Sequence, residues 1–235
     1  MKRVYWLLAA LFFVSAIALR VIPEIALQPV FTAVSLLVIA VPSLIVLFRW
    51  LGGIRAASLF VVLSVFAYLI EYVGVVSGVP YGWFSYSELM GVKLLGVVPA
   101  LLPLAYVPLV LGAGALAATH SKKPWKRLLL MTAYLVLFDL VLDPGAVAIG
   151  LWSFSGGGVY YGVPFINYVG WVLSGVVASW LFIVFSYKRF VPRQLVISTF
   201  LLLAFWAGVA AVFSLWIPLV LALVLLLHIV RVTSK

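Results

Sequence analysis

Residues 135–144 read Leu135-Val136-Leu137-Phe138-Asp139-Leu140-Val141-Leu142-Asp143-Pro144, two acids set into an otherwise apolar run. The stretch around them, 128–149, is long enough to cross a bilayer, because a helical span needs about 20 mostly apolar residues. Asp139 and Asp143 are i and i+4, so they share one helix face, one turn apart. A charge at the bilayer centre costs at least about 2.5–3.5 kcal/mol, so intramembrane acids face the bundle interior and are functional by default. Pro144 disfavours helical geometry at Asp143 and predicts a kink or break there. Such a break is tolerated at membrane depth where it lines a cavity.

The rest of the chain repeats the apolar pattern. Further helices are expected near 4–21, 29–49, 56–76, 95–118, 166–187, 194–211 and 213–231, eight spans in all. The turn between the last two falls within Gly208–Pro218. Of the 235 residues, 67% are hydrophobic and 9% charged, against about 45–50% and 25% in soluble domains. That excludes a soluble fold, a disordered chain and a coiled coil. The apolar residues come in unbroken blocks, which argues against a β-barrel.

The net charge of +10 is read as a topology signal, not as a nucleic-acid footprint. With the N-terminus inside, thirteen of the fifteen basic residues fall on the cytoplasmic side, from Lys2 and Arg3 to Arg231 and Lys235. Only Arg20 and Lys93 fall outside. The expected architecture is an all-α, multi-pass protein of the cell membrane, a single domain over 1–235 with both termini cytoplasmic. Its surroundings are membrane lipid. Ala16-Ile17-Ala18 also fits a signal-peptide cleavage site, and the retained-helix reading is preferred. The chain has no Cys and two His, His120 and His228, both near expected helix ends. Thiolate sites are excluded and a multi-His metal centre is not expected.

Only five acids occur in the chain. Glu24 and Glu88 read as solvated loop charges. Glu71 ends the apolar run from Leu59 to Ile70. It lies as far along its helix as Asp143 does along its own, about 22 Å from the cytoplasmic side at about 1.5 Å per residue. All three acids could therefore share one depth. Each acid-bearing helix is followed by an outer stretch rich in Gly, Pro and aromatics. A Gly-Val-Pro occurs in both, at 78–80 and 162–164, a weak sign of duplication. The aromatics fit an interfacial belt, and they equally fit the wall of an outer pocket above the acids.

These residues resemble the carotenoid biosynthesis membrane-protein family, whose characterised members include CruF-type carotenoid hydratases. The matching features are Glu71-x-x-Gly74, Gly78-Val79-Pro80-Tyr81-Gly82, Asp139-x-x-x-Asp143-Pro144, Trp152-x-Phe154, Tyr160-Tyr161-Gly162-Val163-Pro164 and Asn167-x-x-Gly170-Trp171. They cover roughly residues 60–190. The resemblance implies addition of water across a terminal isoprenoid double bond of a carotenoid, giving a tertiary alcohol. It also implies a hydrophobic carotenoid substrate and a setting among other carotenoid-pathway membrane enzymes.

That chemistry suits the residues. Hydrating an alkene needs a proton donor, a stabilised tertiary cation and a positioned water. A carboxyl group in an apolar site favours its neutral form and serves as general acid. Aromatic faces stabilise a cation. The expected catalytic set is Asp143 as proton donor, Asp139 as its partner and Glu71 as the base that orients water. The expected substrate-binding set is Tyr81, Trp83, Trp152, Tyr160, Tyr161, Asn167 and Trp171. No cofactor and no metal are required. Cyclisation would use the same donor and cation, with an internal alkene as nucleophile. A prenyltransferase would need a second acidic cluster and basic residues near a diphosphate. A proton-coupled transporter remains the alternative outside enzymes, and an assembly partner within a carotenoid complex another.

Overall fold

The computed structural model describes residues 2–234. Among them, eight helices are long and apolar enough to cross a membrane. The first span is broken: α1 (Arg3–Ser15) gives way at 16–17 to a short α2 (Ala18–Val21), and α3 (Pro23–Ala26) follows. Then come α4 (Pro29–Leu51), α5 (Gly53–Ser77), α6 (Leu102–His120), α7 (Pro124–Ala148), α8 (Phe165–Phe185), α9 (Ile197–Val212) and α10 (Trp216–Thr233). Lys235, counted above among the inner charges, lies outside the described residues.

α6 and α9 form the centre and are the most buried of the spans. Lipid gives helices no hydrophobic reason to associate, so close packing and polar glue must do it. At Gly208 of α9 an added Cβ would come 2.2 Å from the Phe13 carbonyl oxygen, so only glycine lets α1 lie this close. Between α4 and α9, Ser43 Oγ donates to the Leu195 carbonyl at 2.7 Å and accepts from the Ser198 amide at 3.0 Å. Ser198 Oγ accepts in turn from the Ser43 amide at 3.1 Å. Between α7 and α10, His228 Nε2 and the Tyr134 hydroxyl share a hydrogen bond of 2.9 Å, with the His120 ring tilted against His228 at 5.3 Å.

The start of the fourth span and the last turn differ from expectation. The fourth span begins at Leu102 and not near 95, because Gly96 and Pro99 interrupt the apolar run. There β2 (Lys93–Leu94) and β3 (Val98–Pro99) form a small hairpin, turning through Leu95 and Gly96 at φ 51° and 76°. The last turn is narrower than expected and occupies 213–215, with Ser214 left-handed at φ 59°. The two aromatic outer stretches pair with each other: β1 (Phe84–Tyr86) runs antiparallel to β4 (Trp152–Phe154), with Tyr86 opposite Trp152.

The break expected at Asp143 does not occur, and α7 runs without interruption through Pro144 to Ala148. Proline lacks the N–H that would pair with the carbonyl four residues back. That carbonyl belongs to Leu140, and the Tyr160 hydroxyl donates to it at 3.1 Å. A side chain from the outer loop thus supplies the missing donor, and the helix continues. Replacing Tyr160 by Phe leaves the Leu140 carbonyl unpaired and should cost about 1–3 kcal/mol, read from unfolding in detergent. In a Pro144→Ala background the backbone N–H returns and the same substitution should cost almost nothing. Equal costs in both backgrounds would reject this pairing.

Candidate active site

Glu71 and the Asp139–Asp143 pair lie within about two turns of the C-terminal ends of α5 and α7. The structure brings all three to one cavity of about 370 Å³. They are 5%, 1% and 5% exposed. Asp139 and Asp143 do share a helix face, and Asn167 of α8 faces both. Its amide nitrogen donates to Asp139 Oδ2 at 2.9 Å and also to Asp143 Oδ2. Asn167, expected to bind substrate, lines the cavity and also bridges the two acids. Asp139 Oδ1 has no partner among the described residues.

Glu71 is held from the outer loop. The Tyr86 hydroxyl donates to Glu71 Oε2 at 2.8 Å. Burial, and then the neighbouring Glu71 carboxyl, push the Tyr86 hydroxyl well above its ordinary value, so it remains a donor. Lys93 fixes the strand that carries it. Lys93 Nζ donates to the Tyr86 carbonyl at 2.9 Å and to Glu88 Oε1 at 2.7 Å. The outer lysine therefore braces the site from behind. Glu88 and Glu24 are both exposed, as expected, but Glu24 belongs to the short helix α3 and Glu88 pairs with Lys93.

Tyr81 reaches the cavity between α5 and α8. A Cβ at Gly74 would come 2.9 Å from one edge of its ring, and a Cβ at Gly170 would come 2.5 Å from the other. Two glycines thus make the slot for one tyrosine. Gly74 is three residues from Glu71, and Gly170 three from Asn167, so each glycine shares a helix face with a polar residue of the site. This gives the Glu71-x-x-Gly74 and Asn167-x-x-Gly170 spacings a physical meaning. Burial and the nearby Glu71 and Tyr106 hold the Tyr81 hydroxyl well above its ordinary value.

The remaining wall is aromatic. Trp171 stacks on Tyr106 at 6.0 Å and lies 6.2 Å from Tyr81, and Trp152 meets Tyr86 edge-on at 5.8 Å. Three of the expected substrate-binding residues lie elsewhere. Trp83 is 58% exposed and packs over Gly78. Tyr160 serves the Leu140 carbonyl, and the Tyr161 hydroxyl accepts a 3.4 Å hydrogen bond from the Ile217 amide. None of the three lines the cavity. Sequence reasoning missed Tyr106 and Trp206, which do. Both sit in unmarked apolar helices, and nothing in the pattern separates them from core aromatics. Tyr86 carried a signal: alternation over Phe84-Ser85-Tyr86 is that of a strand with two residues on one face. Among the described residues, no group of three or more His, Cys, Asp or Glu is placed to hold a metal ion.

Known proteins resemble the chain along most of its length. Residues 27–229 match the family described as carotenoid biosynthesis protein. The chain is 38% identical over 211 residues to the bisanhydrobacterioruberin hydratase of Haloarcula japonica, a match covering 86% of this chain and 71% of that protein. No solved structure matches. The family match spans the helices that carry Glu71, Asp139, Asp143 and Asn167, and the chain belongs to the carotenoid biosynthesis protein family.

Proposed function

We propose that the protein is a carotenoid hydratase that adds water across a terminal isoprenoid double bond without a cofactor. The observation that carries this reading is the Asn167 amide donating to both Asp139 and Asp143 at the floor of an aromatic cavity shared with Glu71. The hydratase named above supports it. Like-charge repulsion favours one proton shared by two carboxyls this close. Asp143 gives that proton to the less substituted alkene carbon, whose π electrons form the new C–H bond. The more substituted carbon becomes a tertiary cation, facing Trp171, Trp152 and Tyr81. A water oxygen forms the C–O bond and gives its proton to Glu71. Proton return to the aspartate pair closes the cycle, and the balance is alkene plus water to tertiary alcohol. Asn167 holds the two aspartates in register, and Tyr86 orients Glu71.

We also read the chain as one domain with both termini cytoplasmic, because lysines and arginines concentrate on the side that this orientation places inside. Other enzymes of the same pathway are the natural neighbours of a protein whose substrate and product both stay in the membrane.

Two measurements test these readings. In a host that accumulates a carotene with free isoprenoid ends, the protein should add one water per modified end, and growth in heavy water should place deuterium on the adjacent carbon. Asp143→Asn should lower the rate by at least about 100-fold, the scale of general acid catalysis. An isomer of unchanged mass would identify cyclisation instead. Reporter fusions at the N-terminus and after Thr233 should both give cytoplasmic signals, and an outer signal at either would reject the orientation.

A further inference from the structure

The cavity wall is uneven in exposure, and the unevenness locates its mouth. The three acids at the floor are at most 5% exposed. Among the lining residues, the exposed ones are Ser15, Ile22 at 44%, Ile25 at 54% and Phe31 at 50%. All four lie between the last residue of α1 and the first turn of α4. Everything else around the cavity is buried or half-buried. α1 packs on α9, while α4 packs on α5, α6 and α9, and α1 and α4 share no extended interface among the described residues. α9 therefore backs a cleft between them, with Leu202, Phe205 and Trp206 on its cavity side. The outer strands and their loops cover the other approach, because Tyr86, Trp152 and Phe154 belong to the wall.

The mouth thus opens on the flank of the bundle, through isoleucine and phenylalanine side chains. Apolar side chains exposed on the flank of a membrane bundle face lipid. The volume, about 370 Å³, is at the small end for ligand pockets, which span about 300–1,000 Å³. It holds the end of a long polyene and leaves the body outside.

We propose that a linear, apolar isoprenoid chain is bound end-on from the bilayer, through a side mouth between the end of α1 and the start of α4. The identity of the reacting end rests on the hydratase reading above. The position of the mouth rests on the exposure pattern alone. A molecule with two reactive ends must then leave and return between reactions, so the singly modified species is released.

The chain has no native cysteine, which makes single-cysteine labelling clean. Ile25→Cys and Phe31→Cys place thiols at the mouth. Val61→Cys and Leu227→Cys place them on exposed faces away from it. Each variant is reconstituted in vesicles containing a linear carotene with free isoprenoid ends, then modified with a bulky apolar maleimide. Modification at 25 or 31 should cut hydration at least about tenfold, against less than about twofold at the controls. The carotene should also slow labelling at 25 and 31 and leave the controls unchanged. Complete labelling with no loss of rate, and labelling indifferent to the carotene, would overturn the side mouth. If no variant hydrates anything, labelling decides alone. Protection at 25 and 31 then upholds the mouth while the hydratase reading fails, and its absence rejects the mouth as well.

Discussion

Three carboxyl groups are buried in a membrane bundle without a cation beside any of them. The lone ion pair among the described residues, Lys93 with Glu88, is in the outer loops. The buried acids are held by neutral donors, the amide of Asn167 and the hydroxyl of Tyr86. This choice has a chemical consequence. A guanidinium or ammonium partner would stabilise the ionised carboxylate and remove it as an acid. An amide and a phenol each donate to a carboxyl oxygen without adding a charge, and leave a proton free to move. The burial cost is met by hydrogen bonding, and the acids keep the ability to give and take a proton in an apolar space.

Much of the molecule is organised to deliver those donors. Asn167 sits near the start of α8, and its place opposite the aspartates depends on the packing of α7 on α8. Tyr86 comes from a strand outside the helices, and its position depends on β4 and on Lys93. Tyr81 can enter because Gly74 and Gly170 leave room on both sides of its ring. Tyr160 pairs the Leu140 carbonyl that Pro144 leaves without a donor, on the helix that holds Asp139 and Asp143 one turn apart. The outer loops are therefore part of the site and of its scaffold.

What the sequence made legible follows from periodicity and from cost. Eight spans could be read because a bilayer demands unbroken apolar length. The aspartates could be placed on one face because a helix repeats every 3.6 residues, and they could be singled out because burying an acid in lipid is expensive. Distribution of the aromatics was a different matter. Trp83, Tyr160 and Trp171 carry the same composition signal, yet one is exposed, one completes a helix and one walls the cavity. Trp171 turns inward because it lies one turn beyond Asn167 on the same face of α8, while Trp83 and Tyr160 are placed by loop geometry, which is a tertiary fact. The α7 result has the same origin. Pro144 forecasts a break on local grounds, yet the helix runs on, as α4 and α6 do through Pro42 and Pro108, and a hydroxyl 16 residues further along pairs the carbonyl that the proline leaves open. Tyr106 and Trp206 were invisible because an aromatic inside an apolar helix looks the same whether it faces lipid, core or cavity.

The arrangement also bears on how one cation could be steered to one product. A tertiary carbocation loses a proton, closes on an internal alkene or captures water, and the outcome depends on what the site allows nearest to it. Bulk water would capture it without selectivity and would ionise the acids beforehand. Here the strands β1 and β4 cover the acids, and three of the four exposed wall residues are apolar. Water in such a space is limited to what polar groups hold, and the polar groups lie at the floor with Glu71 and the aspartates. A floor that supplies both the proton and the water favours capture at the chain end. The small volume of the cavity works in the same direction, because folding the chain back to present an internal alkene requires room that an end-on fit does not provide.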